Sequence, residues 1–155
     1  MKQTTKTVGM GWIAVIIIAA ILIVDQIIKI EVKTNMSLGE ALRITDWFYI
    51  EFIENNGMAY GMTFINKFLL SLLRIAAICI IGWYIHRQIK VRARYCYIIL
   101  LSMVFAGAAG NIFDSMFYGL VFDASTPFDV SSVVPFGTGY APFLMGKVVD
   151  MFYFP

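Results

Sequence analysis

Charged residues are scarce in this sequence. Lysine, arginine, aspartate and glutamate make up 14% of its 155 residues, whereas hydrophobic residues make up 60%. A chain of this length with so apolar a composition is too hydrophobic for a soluble domain, which predicts an integral membrane protein. The net charge of +2 is small and the basic residues cluster between apolar runs, so no nucleic-acid partner is expected.

Cysteine and histidine are also nearly absent. Cys79 and Cys96 fall in or beside apolar runs without an oxidising partner, and His86 is the one histidine of the sequence. This argues against a Ser/His or Cys/His catalytic pair and against a two-histidine metal site. We therefore expect no metal and no cofactor.

Apolar runs dominate what is present. Three of them, residues 9–28, 68–85 and 95–113, are long enough to predict membrane helices. The first lacks a small-x-small cleavage site, which favours a retained anchor over a secretory signal. Arg74 interrupts the second, where its long stem can extend toward an interface. The stretch after Ala141 is too short to cross, so we expect an interfacial segment or the start of a longer one.

The basic residues predict the orientation. The loop HRQIKVRAR, residues 86–94, contains no acid, and Lys2 and Lys6 precede the first run. The positive-inside rule places both regions in the cytoplasm. Residues 31–67 and the segment after Phe122 then face the other side of the membrane.

The outward segments have some local pattern. TDWFYIEFIE, residues 45–54, mixes β-branched and aromatic residues with acids, which predicts a strand at the membrane surface. ENNGMAYG, residues 54–61, contains turn residues and predicts a small hairpin or cradle. Residues 122–142 are rich in Ser, Thr, Gly and Pro, which is typical of a surface loop.

Several polar residues lie where they are energetically costly. Asp25 and Lys29 are four residues apart on the first predicted helix, and Asn111 and Asp114 are three apart on the third, after the small residues of AGAAG. Two structural interpretations stay open beside a functional one: an interfacial ion pair for the first two, and hydrogen bonds between helices for the others. Asp150 is the fifth member of the set.

Asp150 lies in VVDMF, a short apolar and aromatic stretch, and no cation except Lys147 lies within helical reach of it. An acid in such a place is by default a functional hypothesis. Partial burial raises the pKa of a carboxyl, and a second carboxylate separates the two values. Such a pair can activate water against an amide and protonate the leaving nitrogen. The chemistry requires two acids, and the segment of Asp150 offers no second one.

Four motifs in order resemble those of one known family. They are VDQIIK at residues 24–29, NNGMAYG at 55–61, GAAGNIFD at 107–114 and GKVVDMF at 146–152. Together with the predicted spans and orientation, they resemble the lipoprotein signal peptidases, also called signal peptidase II. The resemblance extends over nearly the whole chain.

The resemblance implies an α-helical aspartic endopeptidase of the bacterial cytoplasmic membrane, with four helices and a small extracytoplasmic β-cradle. It would remove the signal peptide of a prolipoprotein before a diacylglyceryl-modified cysteine, in contact with membrane lipids, and be sensitive to inhibitors of the globomycin type. Residues 1–155 would form a single membrane-embedded domain, incomplete at its carboxyl end.

The resemblance also assigns residues. Asp150 matches the aspartate of the family's VVDF-like motif and would be one catalytic acid. The positions that would shape and support the site are Asp25, Lys29, Asn55, Gly57, Asn111 and Asp114.

The sequence departs from the family in three places. Ser115 stands where the family usually has an arginine, so a cation that would contact substrate or lipid is missing. Residues 122–142 form an unusually long insert, which predicts a lid over the site. The family's second catalytic aspartate, in an FNxAD motif, and its fourth helix do not occur before Pro155. This predicts a truncated chain, and we expect the 155 residues alone not to cleave substrate.

Three alternatives remain at this point. Asp114 could replace the missing acid if the last segment folds back against the third helix. The chain could be an inactive relative of the family. It could also be a small membrane protein whose Asp25, Lys29, Asp114 and Asp150 line a path for ions or protons.

Overall fold

A computed structural model describes residues 2–56 and 66–155, with side chains from residue 9 onward. Three helices and three strands make up this part of the chain. They are α1 Lys2–Asn35, β1 Ala41–Thr45, β2 Phe48–Asn55, α2 Lys67–Lys90, α3 Tyr95–Val121 and β3 Val148–Tyr153.

The three long helices confirm the predicted membrane-helical fold class. Gly9–Asn35, Lys67–Lys90 and Tyr95–Val121 are each long and apolar enough to cross a membrane. Large apolar side chains on all three helices point outward, including Ile16, Ile80 and Leu100, which are 62%, 64% and 55% exposed. Such surfaces are stable against lipid and unfavourable against water.

Two helices are longer than their apolar runs predict. α1 continues past Ile28 to Asn35, and α3 continues past Phe113 to Val121. The added turns contain Lys29, Lys33 and Asp114, each fully or almost fully buried. Hydropathy alone ends a span at such residues, but here each charge has a partner on another element.

The strands form one antiparallel sheet in the order β1-β2-β3. The predicted strand at residues 45–54 is confirmed as β2, and its hairpin partner β1 was not predicted. The turn of that hairpin lies at Asp46 and Trp47, not in the Asn-Asn-Gly motif that follows β2. Residues 57–61 of the predicted turn lie outside the described residues.

The stretch around Asp150 forms strand β3 at the edge of the sheet, beside β2. The pairing is irregular next to Asp150. Ile50 pairs with Phe152 and Ile53 pairs with Asp150, so that two residues of β2, Glu51 and Phe52, lie opposite one residue of β3, Met151. A bulge of this kind increases the local twist and changes where the neighbouring side chains point.

Two small cores stabilise opposite ends of the helix bundle. One contains Met10, Ala14, Ile85 and Ile98, near the loop between α2 and α3. The other joins the helices to the sheet and contains Val32, Phe52, Tyr118, Phe122, Val149 and Met151. The second core places β3 against the ends of α1 and α3.

The long insert packs onto the end of α3. Ala141 N donates to the carbonyl of Gly119 and Tyr140 N to that of Phe122, both within 3.0 Å. Near its start, the carbonyl of Thr126 accepts a hydrogen bond from Leu38 N after α1. The insert therefore connects both helix ends, and its expected role as a lid stays a prediction.

Candidate active site

The polar residues predicted on α1 and α3 meet in one buried group. Lys29 Nζ lies 2.7 Å from Asp114 Oδ2, 3.2 Å from Asp25 Oδ2 and 3.0 Å from Asn111 Oδ1. The i,i+4 spacing of Asp25 and Lys29 places both on the face of α1 that packs against α3. The predicted ion pair therefore exists, and it also joins the two helices.

Gln26 and Tyr118 complete this group, which we call the helix cluster: Asp25, Gln26, Lys29, Asn111, Asp114 and Tyr118. Gln26 Nε2 donates to Asp114 Oδ1 at 2.9 Å, and the Tyr118 hydroxyl donates to Gln26 Oε1 at 3.1 Å. Sequence reasoning missed both residues. Gln26 lies within the quoted VDQIIK motif, so its position between Asp25 and Lys29 was an available signal.

Asp114 connects the helix cluster to the sheet. Its side chain is fully buried. Its Oδ2 accepts a hydrogen bond of 3.2 Å from the backbone N–H of Val149 and also forms the ion pair with Lys29. The last segment does fold back against α3, the condition under which Asp114 could act as the second acid. However, its oxygens are occupied by Gln26, Lys29 and Val149. The geometry suits an anchor for β3.

Asp150 is exposed, whereas Val149 and Met151 on either side of it are buried. The alternation of a strand turns its side chain away from the second core. It lines a cleft of about 420 Å³ together with Asp25, Lys29, Asn111, Val149, Met151 and Phe152. The cleft therefore brings Asp150 together with three of the supporting residues named from sequence.

An apolar groove adjoins this cleft along α1. It has a volume of about 360 Å³ and is lined by Ala20, Ile21, Val24, Asp25, Ile28, Met151 and Phe152. Asp25, Met151 and Phe152 line both spaces. An apolar segment lying in the groove would therefore border the cleft that Asp150 lines.

Two further residues, Asn55 and Gly57, are expected from the sequence to support the site. Asn55 is the last residue of β2, where it pairs with Val148, so it lies at the entrance to β3. Gly57 lies outside the described residues, and its predicted role stays a prediction.

Ser115, which stands where the family usually has an arginine, makes several local contacts. Ser115 is buried, and its hydroxyl donates to the carbonyl of Asn111 at 3.0 Å. Gly146 N donates to the carbonyl of Ser115 at 2.9 Å, and a Cβ at Gly146 would overlap the Asp114 carbonyl. Arg74 on α2 interacts electrostatically with Asp150 and Asp114.

The site presents carboxyl groups to its cleft. No group of three or more His, Cys, Asp or Glu side chains that could hold a metal ion occurs in the described residues. Asp150 in the cleft is a carboxyl group with access to a bound molecule. This arrangement suits acid or base catalysis on a substrate in the groove.

Comparisons with known proteins agree with this chemistry. A family model described as signal peptidase (SPase) II matches residues 17–155. A lipoprotein signal peptidase of Porphyromonas gingivalis is 41% identical over 156 residues, which cover 100% of this chain and 69% of the relative.

The chain belongs to the signal peptidase II family. Members of this family remove the signal peptides of prolipoproteins, and the predicted family and peptidase class are confirmed. The lipoprotein signal peptidase of Amoebophilus asiaticus is 32% identical over 159 residues, covering 98% of this chain and 60% of that protein. The family assignment thus favours the peptidase over the ion-path alternative.

Solved structures support the fold. A structure titled as a bacterial membrane enzyme at 2.3 Å resolution has a TM-score of 0.63 to this chain at 21% identity, covering 92% of this chain and 70% of that one. A second, at 1.9 Å, has a TM-score of 0.60 and covers 91% and 73%. The membrane-helical architecture with its small sheet is therefore shared with these enzymes.

Proposed function

We propose that Asp150 is a catalytic carboxylate of this signal peptidase II, acting on a peptide bond bound in the cleft. The observation that carries the proposal is its position: an exposed acid between two buried strand residues, at the junction of a polar cleft and an apolar groove. A carboxyl group there is accessible to a substrate bound in the cleft.

The proposed substrate is a diacylglyceryl-modified prolipoprotein. Its apolar signal segment would lie along α1 in the groove, with its acyl chains among membrane lipids and its scissile amide beside Asp150. A globomycin-type cyclic peptide would compete for the same space. The size and apolar lining of the groove support this placement.

Asp150 would take a proton from the attacking water or donate one to the leaving nitrogen, depending on its protonation state. Either role requires a second acid. By resemblance, this acid belongs to an Asn-x-Ala-Asp motif that the 155 residues do not contain. Asp114 is proposed as an anchor for β3, and Asp25, Lys29 and Asn111 as the polar wall opposite Asp150.

The proposed orientation places residues 86–94 in the cytoplasm and the cleft on the outer side of the bacterial cytoplasmic membrane. Four basic residues and no acid in that loop support it. The sheet and the insert lie together at the other end of the helices, where the second core forms. We further propose that residues 1–155 belong to one domain.

Substitution of Asp150 by asparagine tests the proposal. The substitution is made in the enzyme expressed in its bacterial membrane. Asp150→Asn keeps the size of the side chain but removes its acid–base function. We expect prolipoprotein cleavage in isolated membranes to fall by about 10²- to 10⁴-fold, the usual contribution of a positioned acid or base. Asp129→Asn, the same change at an exposed acid of the insert, is the matched control. Unchanged cleavage by Asp150→Asn at an equal membrane level would defeat the assignment.

A further inference from the structure

A second buried polar group lies between the sheet, α1 and the insert. We call it the sheet cluster: Lys33, Glu54, Ser125, Tyr140 and Lys147. None of these residues was among the site residues named from sequence. They come from α1, β2, the insert and the segment that leads into β3.

Glu54 is the centre of this cluster. Its Oε1 lies 2.5 Å from Lys33 Nζ and accepts a hydrogen bond of 2.9 Å from the Ser125 hydroxyl. Its Oε2 lies 2.8 Å from Lys147 Nζ. The Glu54 side chain is 2% exposed and that of Lys33 is fully buried, so their charges have little access to water.

The electrostatics favour a charged Glu54. Burial alone raises the pKa of its carboxyl, but hydrogen bonds from Lys147 and Lys33 outweigh burial and lower the pKa below its usual range. Lys33 also lies 5.2 Å from the centre of the Tyr140 ring and 5.4 Å from that of Phe122. The Glu54 carboxylate is thus stabilised from both sides.

Lys147 attaches this cluster to the strand that contains Asp150. Its backbone N–H donates to the Tyr140 hydroxyl at 2.7 Å, and its side chain reaches Glu54. Burial raises the pKa of Tyr140, so its hydroxyl stays neutral. Lys147 directly precedes β3, whose first residues Val148 and Val149 pair with Asn55 and Glu54.

The register of β3 needs such an attachment. It is an edge strand, and the bulge opposite Met151 interrupts its pairing beside Asp150. A one-residue shift would turn Asp150 toward the opposite face of the sheet. The Asp114 contact to Val149 fixes the strand on the helix side, and the Glu54–Lys147 pair fixes it on the sheet side.

We propose that Glu54 and Lys147 are positioning residues, whose ion pair sets the register and direction of β3 and thereby aims Asp150 into the cleft. This proposal rests on the proposed catalytic role of Asp150. Neither residue lines the cleft or the groove, so the pair acts through the strand.

Lys147→Gln is the sharpest test, because Lys147 is 32% exposed and its loss leaves the buried Lys33–Glu54 pair intact. We expect kcat to fall by about tenfold to a hundredfold with KM within twofold, since small misplacement of a catalytic group has effects of this size. Amide hydrogen exchange in β3 should become at least about tenfold faster. Lys147→Arg, which keeps the charge, should restore most of both.

Asp46→Asn is the matched control. It removes the ion pair between Asp46 and Arg43 beside the same sheet, whose side chains are 86% and 62% exposed. We expect no change in kcat or in β3 exchange. Exposed pairs of this kind contribute little to stability.

The outcomes separate this proposal from the function itself. If Lys147→Gln matches Asp46→Asn in kcat and in β3 exchange while Asp150→Asn abolishes cleavage, the positioning role is wrong and the function stands. A raised KM with unchanged kcat would also overturn it, because Lys147 would then contact substrate. If Asp150→Asn cleaves normally, the proposed function fails, whereas faster β3 exchange in Lys147→Gln would still support the attachment.

Discussion

The helix cluster and the sheet cluster lie on opposite sides of β3 and have opposite charge balance. The helix cluster contains two acids and one cation, Asp25, Asp114 and Lys29. The sheet cluster contains two cations and one acid, Lys33, Lys147 and Glu54. The helix cluster contacts β3 through Asp114, which accepts from Val149 N, and the sheet cluster holds the entrance of β3 at Lys147 through Glu54 and Tyr140.

The comparison separates two tasks. The helix cluster opens onto the cleft through Asp25, whose side chain is 23% exposed, so it both packs helices and forms a wall of the site. The sheet cluster is closed around Glu54 and lines neither the cleft nor the groove. We infer that the first shapes the site directly and the second acts only by fixing the strand.

Breaking the helix cluster should have the largest effect on stability. Asp114→Asn removes the nearer of the two carboxylates paired with Lys29 and leaves that buried cation with the Asp25 carboxylate at 3.2 Å and the Asn111 amide oxygen at 3.0 Å. We expect the free energy of unfolding in detergent micelles to fall by about 3–5 kcal/mol, the usual cost of breaking a buried ion pair. Asp46→Asn should change it by less than about 1 kcal/mol. Equal effects of the two substitutions would show that burial of Asp114 carries no such penalty.

Alanine substitution of a glycine on α3 should disturb the helix cluster less than Asp114→Asn does. A Cβ at Gly110 would overlap the Asp25 carboxylate, whereas Gly107 has nothing within 4 Å. Gly110→Ala should therefore move Asp25 away from Lys29 and cost about 1–3 kcal/mol, as overpacking does. Gly107→Ala should be neutral or stabilising by up to about 1 kcal/mol, because alanine favours the helix.

Thermal unfolding of both alanine variants in the same detergent measures this difference. Since the two glycines lie three residues apart on one helix, propensity affects them alike and the contrast isolates the contact with Asp25. If Gly110→Ala were as stable as Gly107→Ala, the close packing of α1 on α3 would not constrain Asp25.

The helix cluster was predictable to a large extent, and the sheet cluster was not. Asp25 and Lys29, and Asn111 and Asp114, are separated by one helical turn, so their spacing alone places each pair on one face. The resemblance to a known family implies that all four positions support one site, so a common location was expected. The structure added Gln26 and Tyr118, which are polar residues on the same faces.

The sheet cluster depends on contacts that no local pattern encodes. Glu54 meets Lys33 across 21 residues and Lys147 across 93. Its geometry requires the register of β2 with β3, the bulge beside Asp150 and the fold of the insert, which no periodicity predicts. The apolar sequence around Asp150 indicated an interfacial segment but could not distinguish a strand from a short helix.

The smallest effect is expected where the insert meets the sheet cluster. Ser125→Ala removes two hydrogen bonds, the one that the hydroxyl donates to Glu54 Oε1 and the one of 2.7 Å that it accepts from Lys33 Nζ. The ion pairs of Glu54 with Lys33 and Lys147 remain. Because the charge stays paired, we expect a loss of about 1–2 kcal/mol in the free energy of unfolding, about 1 kcal/mol for each buried hydrogen bond.

Thr138→Ala is the control within the same insert, since its exposed hydroxyl donates to the carbonyl of Pro135 at 2.7 Å. We expect it to be close to neutral, with thermal unfolding as the measurement. If Ser125→Ala also accelerates hydrogen exchange in β3, the insert takes part in fixing the strand, because Ser125 reaches β3 only through Glu54 and Lys147. If exchange is unchanged while stability falls, Ser125 stabilises the fold, and the attachment of β3 rests on the ion pair alone.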